Sequence, residues 1–122
     1  MKTNEIAMRL VELCREGRND EALKMYAPDA QSVEAMAPPG GSRESIGLDA
    51  IKAKGEWWVG AHEVHSAKLT GPWPLDDRFI VGFNYDITEK ASGQRMTMDE
   101  VALYTVKNGK IVREEFFYQT GG

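Results

Sequence analysis

The sequence predicts an α+β fold in which helices come first and antiparallel strands follow. Three segments before residue 62 place apolar residues at helical spacing, and the segments after it alternate apolar and polar residues. The last two strands are joined by Asn108-Gly109, a strong hairpin signal because both central positions of a type I′ turn need positive φ. We therefore expect helices packed on one antiparallel sheet.

Length and charge restrict the class of protein. A chain of 122 residues is long enough to bury its own core, and we assign residues 1–122 to a single domain. The formal net charge of −4 argues against a nucleic-acid partner bound through a basic surface. The sequence contains neither a signal-peptide pattern nor an apolar run of about 18 residues, so we expect no membrane partner and a cytoplasmic location.

Candidate metal ligands are few. Cys14 is the single cysteine and lies on the apolar stripe of the first helix, so we expect a buried structural thiol. His62 and His65 form a His-x-x-His pair where a helix gives way to a strand, but neither a cysteine nor HExxH spacing supports a metal site there. We therefore expect no metal and no cofactor.

The first half of the chain contains the predicted helices and one short strand. The helices are expected over residues 3–16, 19–26 and 47–61, and the strand over residues 31–36. Thr3 or Asn4 is the expected N-cap of the first helix, and Ala27-Pro28-Asp29 is expected to end the second. The segment 37–45 contains two prolines and two glycines and is expected to be a loop.

The second half contains the long strands, which are expected over residues 64–73, 78–88, 96–107 and 110–118. The segment 78–88 shows the clearest alternation, with aromatic and branched residues on one face. Turns are expected at Gly71–Pro74 and Lys90–Gly93.

The Asn108-Gly109 turn predicts which residues of the last two strands share a face. If Lys107 lies opposite Lys110, then Leu103 lies opposite Glu114, Val101 opposite Phe116 and Asp99 opposite Tyr118. This face is apolar but includes the carboxylates of Asp99 and Glu114. Two carboxylates in an apolar cavity disfavour double ionisation, so the pKa of one of them should rise toward neutrality. Such a group can serve as a general acid or base, and Asp99 and Glu114 are therefore our candidate catalytic residues.

The remaining candidates would bind the ligand. They are Val101, Leu103, Phe116 and Tyr118 on the same face, together with Trp57, Tyr85 and His65. A β-bulge in the hairpin would exchange the faces and place Glu100 inside instead of Asp99, so Glu100 is also a ligand-binding candidate. In the alternative interpretation, Glu114 and Glu115 flank Arg113 on an exposed strand and only make it soluble.

The opposite face of the hairpin is also apolar in this register. It presents Tyr104, Val106, Ile111 and Phe117 away from the expected pocket. An exposed patch of this kind usually marks a contact surface, so we expect a homodimer formed through the outer face of the sheet.

The order of elements resembles the nuclear transport factor 2-like superfamily, and within it the SnoaL-like domains, which are related to steroid Δ-isomerases and polyketide cyclases. The resemblance covers nearly the whole chain. Its most specific motifs are YAPDA at 26–30, SRESIGLDAIKA at 42–53 and VKNGKIVREEFFY at 106–118. It implies a cone-shaped, strongly curved antiparallel sheet wrapped around three N-terminal helices, as in cystatin-like folds. It also implies a deep apolar pocket that Glu114, Phe116 and Tyr118 face, and a dimer formed through the sheet.

The resemblance does not extend to the catalytic positions of the steroid isomerases. The position of their aspartate base falls near Ala35, beside Glu34, and the first helix has no tyrosine. The position of their second aspartate falls near Ala102 or Leu103. Two functions therefore remain. One is a cofactor-independent isomerase, cyclase or hydratase that acts on a small hydrophobic carbonyl compound by carboxylate acid–base chemistry. The other is a non-catalytic domain for ligand binding or dimerisation.

Overall fold

A computed structural model describes residues 2–120; residues 1, 121 and 122 of the expected single domain lie outside this range. The helices and strands in chain order are α1 (Thr3–Arg15), α2 (Asn19–Leu23), β1 (Tyr26–Val33), β2 (Glu44–Ile46), α3 (Leu48–Ala61), β3 (His62–Leu75), β4 (Arg78–Glu89), β5 (Arg95–Lys107) and β6 (Lys110–Tyr118). No helix within residues 2–120 is long and apolar enough to cross a membrane.

The six strands form one curved sheet in the order β2-β1-β6-β5-β4-β3. Helix α1 packs against β3 and β4, and α3 packs against β1, β2 and β3, so the helices cover the concave face. The α+β architecture expected from the sequence is confirmed. The expectation of a purely antiparallel sheet is wrong at one place, because β1 and β6 run parallel.

Helix α1 follows its apolar pattern closely. Ile6, Leu10 and Leu13 are almost fully buried against the sheet. The helix ends one residue earlier than expected, and Lys2 is its N-cap instead of Thr3 or Asn4. The reason is that the backbone N–H of Lys2 donates a hydrogen bond to Glu5 Oε1 at 3.0 Å. Glu5 is the third residue of the helix, and its side chain thus satisfies the backbone N–H of the N-cap residue.

Strand β1 begins much earlier than the sequence indicated. Helix α2 ends at Leu23, and the predicted helix break at 27–29 lies within β1. Pro28 is tolerated because the pairing between β1 and β6 is interrupted between Tyr26 and Gln31, so no partner strand needs its missing N–H. The C-terminal end of the predicted loop 37–45 contributes to β2, which pairs with the end of β1.

The β5–β6 turn has the predicted geometry. Asn108 and Gly109 have φ values of 53° and 76°, and Lys107 lies opposite Lys110. Immediately after the turn, however, the pairing shifts by one residue. Val106 lies opposite Ile111, but Thr105 lies opposite Arg113, which leaves Val112 as the extra residue of a β-bulge.

The bulge exchanges the two faces of the hairpin beyond the turn. Tyr104 lies opposite Glu114, Ala102 opposite Phe116 and Glu100 opposite Tyr118, and these side chains are on the concave face. The predicted pairing of Leu103 with Glu114 is therefore wrong. An uninterrupted strand would point residues 111 and 114 to opposite faces, and the bulge allows both to be buried.

The predicted outer patch changes for the same reason. Tyr104, Val106 and Ile111 are buried in the core instead of lying on the outer face. Phe117 is on the convex face as expected and is 48% exposed. Its neighbours there are Val101, directly opposite, and Leu103, which lies opposite the partly exposed Ile80 of β4.

Candidate functional site

Polar side chains from β1 and β6 meet on the concave face around a buried carboxylate. Glu114 is only 4% exposed. The hydroxyl of Tyr26 donates a hydrogen bond to its Oε1, and the hydroxyl of Ser32 donates one to its Oε2 at 2.8 Å. Both carboxylate oxygens of Glu114 therefore have partners supplied by β1, the strand that runs parallel to β6.

A partly buried ion pair continues this network toward the solvent. Lys54 of α3 donates hydrogen bonds to Ser32 Oγ and to Glu34 Oε2, the latter at 2.7 Å. The hydroxyl of Tyr118 donates to Glu34 Oε1 at 3.0 Å. One continuous network thus joins the last strand to the first strand and the third helix.

Glu100 lies beside this network on β5. It is partly buried, directly opposite Phe83 on one neighbouring strand and Tyr118 on the other. Burial, followed by the negative charge of Glu34, raises the pKa of Glu100 from 4.5 to about 7 against the opposing effect of Lys54. At neutral pH this carboxyl group can therefore both accept and donate a proton. We call Tyr26, Ser32, Glu34, Lys54, Glu100, Glu114 and Tyr118 the carboxylate cluster.

The pKa values of Glu114 and Tyr118 are also raised, chiefly by burial. Burial raises the pKa of Glu114, and the hydrogen bonds from Tyr26 and Ser32 and the charge of Lys54 oppose that rise. Burial and the nearby Glu34 carboxylate also raise the pKa of Tyr118 to about 12, so this hydroxyl stays a hydrogen-bond donor. The cluster thus combines carboxyl groups of raised pKa with hydrogen-bond donors that are already held in place.

Aromatic side chains border the cluster on the α3 side. Trp58 stacks on His62 with ring centroids 4.7 Å apart and packs against Tyr85 at 5.2 Å. Trp57 is 59% exposed, so Trp58, instead of the predicted Trp57, is the tryptophan that faces the sheet. The reason is helical spacing, because Trp58 lies two turns beyond the buried Ile51 whereas Trp57 is rotated away from it.

The structure separates four more sequence candidates from the cluster. Asp99 is exposed on the convex face, where it accepts a hydrogen bond from Asn84 Nδ2 at 2.7 Å. Val101, 41% exposed, and Leu103 share that face because the bulge exchanged the sides of β5. His65 is exposed and its Nε2 lies 2.7 Å from Thr88 Oγ1, on the face opposite the buried Ile87.

The other candidates do come together. Glu114, Phe116 and Tyr118 of β6 lie on the concave face with Tyr85, and Glu100 occupies the inward position that a bulge would give it. The ammonium nitrogen of Lys54 lies 5.0 Å from the centroid of the Phe116 ring, which places this aromatic side chain against the ion pair.

Sequence reasoning missed the residues that complete the cluster, namely Tyr26, Ser32, Glu34 and Lys54. Lys54 had a usable signal, since it lies three residues after Ile51 and four before Trp58 on the inward stripe of α3. A lysine at such a position needs a buried partner. Tyr26 had no comparable signal because it was assigned to the second predicted helix. Ser32 lay in the predicted strand 31–36, but no local pattern marked it as a site residue.

Other features of the surface lie away from the cluster. A cleft of about 500 Å³ lies beside the start of α1 and the β5–β6 turn, and one of about 350 Å³ lies between α1 and α2. Neither cleft is lined by a residue of the carboxylate cluster. Among residues 2–120, no group of three or more His, Cys, Asp or Glu side chains is arranged to hold a metal ion.

Known proteins share this arrangement of elements. A proposed SnoaL-like polyketide cyclase from Mesorhizobium loti is 46% identical, with a TM-score of 0.90 over 97% of this chain and 100% of its own. An NTF2-like protein from Burkholderia thailandensis is 20% identical, with a TM-score of 0.84 over 98% of this chain and 92% of its own. TerC, co-crystallised with polyporic acid, is 20% identical, with a TM-score of 0.72 over 97% of this chain and 92% of its own.

A comparison with curated proteins finds no significant match. The family model of the SnoaL-like domain matches residues 1–118, almost the entire chain. Together with the structural similarity to SnoaL-like and NTF2-like proteins, this match shows that the chain belongs to the SnoaL-like domain family.

Proposed function

We propose that this protein is a cofactor-independent enzyme that moves a proton on a small hydrophobic carbonyl compound, with Glu100 as general base and then general acid. The observation that carries this proposal is the position of Glu100, a partly buried carboxylate on the concave face between Phe83 and Tyr118. It adjoins donors that are already fixed by hydrogen bonds. The substrate would lie on the concave face, against Trp58, Tyr85 and Phe116.

Hydrogen bonding within residues 2–120 distinguishes Glu100 from the other two carboxylates of the cluster. Glu114 is buried with both oxygens bound by β1 hydroxyls, so it has no oxygen left to reach a substrate. Both oxygens of Glu34 are bound as well, one by Lys54 and the other by Tyr118. Among residues 2–120, no hydrogen-bond partner occupies the Glu100 carboxylate, so it is available to take a proton from a bound molecule.

The reaction class follows from this chemistry. The ionised Glu100 carboxylate removes a hydrogen from the carbon next to a carbonyl group, and the C–H electron pair forms an enolate. The protonated carboxyl group can return the proton at another carbon, which gives isomerisation. The enolate carbon can instead attack a second carbonyl group of the same molecule, which gives cyclisation. The 46% identical relative carries the names polyketide cyclase and carbohydrate phosphatase, and the first of these agrees with carbonyl chemistry at this site.

The test uses 2-tetralone, a hydrophobic ketone with acidic α-hydrogens, in deuterated buffer. We expect the wild-type protein to accelerate exchange of these hydrogens, with a rate that rises with pH through about 7 because Glu100 must be ionised. Glu100→Gln should lower the rate by about 100-fold or more. Asp99→Asn, the adjacent residue on the opposite face, is the matched control and should keep the wild-type rate.

The second candidate function is a non-catalytic ligand-binding or dimerisation domain. The extent of the hydrogen-bond network favours it, since most carboxylate oxygens of the cluster already have partners. NMR shift changes at Phe116 and Tyr118 would detect bound 2-tetralone independently of exchange. Binding without any exchange above that in buffer would support this function and contradict the catalytic one.

We also propose that the protein forms a homodimer through the convex face. Ile80, Val101, Leu103 and Phe117 form a continuous apolar patch across three strands, because they lie opposite or next to one another in the sheet. A second copy of the same patch would cover it by a two-fold contact.

A further inference from the structure

The charges in the carboxylate cluster are unequal. It contains the carboxyl groups of Glu34, Glu100 and Glu114, whereas Lys54 is the basic side chain that it contains within residues 2–120. A reaction that creates a negative oxygen in such surroundings needs a positive charge close to that oxygen.

We propose that Lys54 is a catalytic residue that stabilises the negative oxygen formed when Glu100 removes the proton. This inference rests on the proposed function and deepens it, because it assigns the group that lowers the energy of the enolate. It also specifies the ligand as a compound whose carbonyl oxygen faces α3 while its acidic carbon faces β5.

The hydrogen bonds of Lys54 leave it one free donor. An ammonium group has three N–H bonds. Two of those of Lys54 donate hydrogen bonds, one to Ser32 Oγ and one to Glu34 Oε2. The nitrogen also lies over the Phe116 ring, at 5.0 Å from its centroid. The third N–H is therefore available to an oxygen that approaches along the concave face beside Phe116.

The same hydrogen bonds fix the ammonium group before any ligand arrives. A lysine side chain is flexible, and ordering it costs conformational entropy. Here Ser32 is fully buried and is itself bound to Glu114, so the ammonium is attached to the core of the sheet. Glu34 is in turn held by Tyr118. Preorganised charge of this kind stabilises a transition state without rearrangement during the reaction.

The step balances without another reactant. The α-carbon loses its hydrogen as a proton to Glu100, and the C–H electron pair becomes the C=C bond of the enolate. The carbonyl π pair moves to oxygen, which takes the negative charge and accepts the hydrogen bond from Lys54. Return of the proton from Glu100 to a carbon consumes the enolate and restores the carboxylate. Alternatively, the enolate carbon attacks another carbonyl group and forms a ring, and the resulting alkoxide takes the proton from Glu100, which restores the carboxylate in this case too.

The first test measures charge stabilisation without catalysis. 4-Nitrophenol is a stable enolate mimic, and its ionised form absorbs visible light. Near pH 6, the ratio of ionised to neutral bound probe should be about 10-fold higher on the wild-type protein than on Lys54→Met. Lys54→Arg keeps the charge and should lie in between, whereas the exposed Lys52→Met on the same helix should match the wild type.

The second test separates this inference from the proposed function. In the 2-tetralone exchange assay, Lys54→Met should lose about 100-fold in rate. If Glu100→Gln abolishes exchange but Lys54→Met does not slow it, the role of Lys54 is wrong and that of Glu100 stands. If neither variant changes exchange, the proposed function itself is wrong. Thermal unfolding of each variant verifies that it is folded. If Lys54→Met does not fold, the wild-type protein alone still decides: binding of 4-nitrophenol without preference for its ionised form overturns the inference.

Discussion

The hydroxyl of Tyr26, at the start of β1, donates a hydrogen bond to the buried carboxylate of Glu114 in β6. The two residues are 88 positions apart in the sequence and lie on strands that run parallel. This contact and the backbone bond from the Ile111 N–H to the Met25 carbonyl, at 2.9 Å, attach the final strand to the beginning of β1. The first and last strands are therefore held together at the buried end of the cluster.

Tyr26→Phe should destabilise the protein by about 1–3 kcal/mol at neutral pH, because it leaves an oxygen of a buried carboxylate without its donor. Urea unfolding monitored by circular dichroism would measure the change in free energy of unfolding. Tyr85→Phe is the matched control, since the Tyr85 hydroxyl makes no hydrogen bond within residues 2–120, and it should stay close to the wild type. Equal stability of Tyr26→Phe and the wild type would contradict the importance of this bond.

Glu100 should make the stability of the protein depend on pH. Burial raises its pKa from 4.5 to about 7 in the folded state, so folding favours its protonated form. The stability associated with that form is fully present below the unfolded-state pKa and is lost as the pH rises through about 7. Glu100→Gln cannot ionise and should be more stable than the wild type near pH 8 by about 3 kcal/mol at most.

This difference should fall almost to zero near pH 4, where Glu100 is mostly protonated in both states. Urea unfolding at the two pH values would measure it. Asp99→Asn removes an exposed carboxylate next to Glu100 and controls for the loss of one negative charge. A Glu100→Gln variant with the same pH dependence as the wild type would show that Glu100 is not desolvated.

Cys14 should react slowly with alkylating reagents. Burial, and secondarily the charge of Glu114, raises the pKa of its thiol from 9.0 to about 11. Near pH 8 the reactive thiolate should therefore be about 100-fold less abundant than in an ordinary thiol. Mass spectrometry after iodoacetamide treatment would give the rate, with the urea-unfolded protein as reference. A folded protein that is alkylated as fast as the unfolded chain would refute the burial of this thiol.

The proposed dimer predicts a different response at two exposed apolar positions. Phe117→Glu places a charge in the convex patch and should convert the dimer into a monomer of 13.6 kDa. Ile46→Glu changes an exposed apolar residue on β2, outside the patch, and should leave the dimer intact. Sedimentation velocity at micromolar concentration would distinguish the species, and a wild-type protein that sediments as a monomer would exclude the dimer.

The local features of the fold were determined by the sequence itself. The stripe of α1, the extent of α3 and the alternation in β4 follow from side-chain periods of 3.6 and 2, which act within a few residues. The Asn108-Gly109 turn is equally local, because few other residue pairs tolerate positive φ at both positions. These signals were sufficient to predict the order of elements and the α+β architecture.

The composition of the site was determined by tertiary structure. The sequence indicated that Glu114, Phe116 and Tyr118 share a face, but it left open whether Asp99 or Glu100 accompanies them. The bulge at Val112 decides for Glu100, because it lets both Ile111 and Glu114 enter the core. The pairing of β6 with β1 then supplies Tyr26 and Ser32, and the packing of α3 supplies Lys54. Such contacts join residues from 20 to 88 positions apart and depend on burying the whole concave face at once, so no local pattern records them.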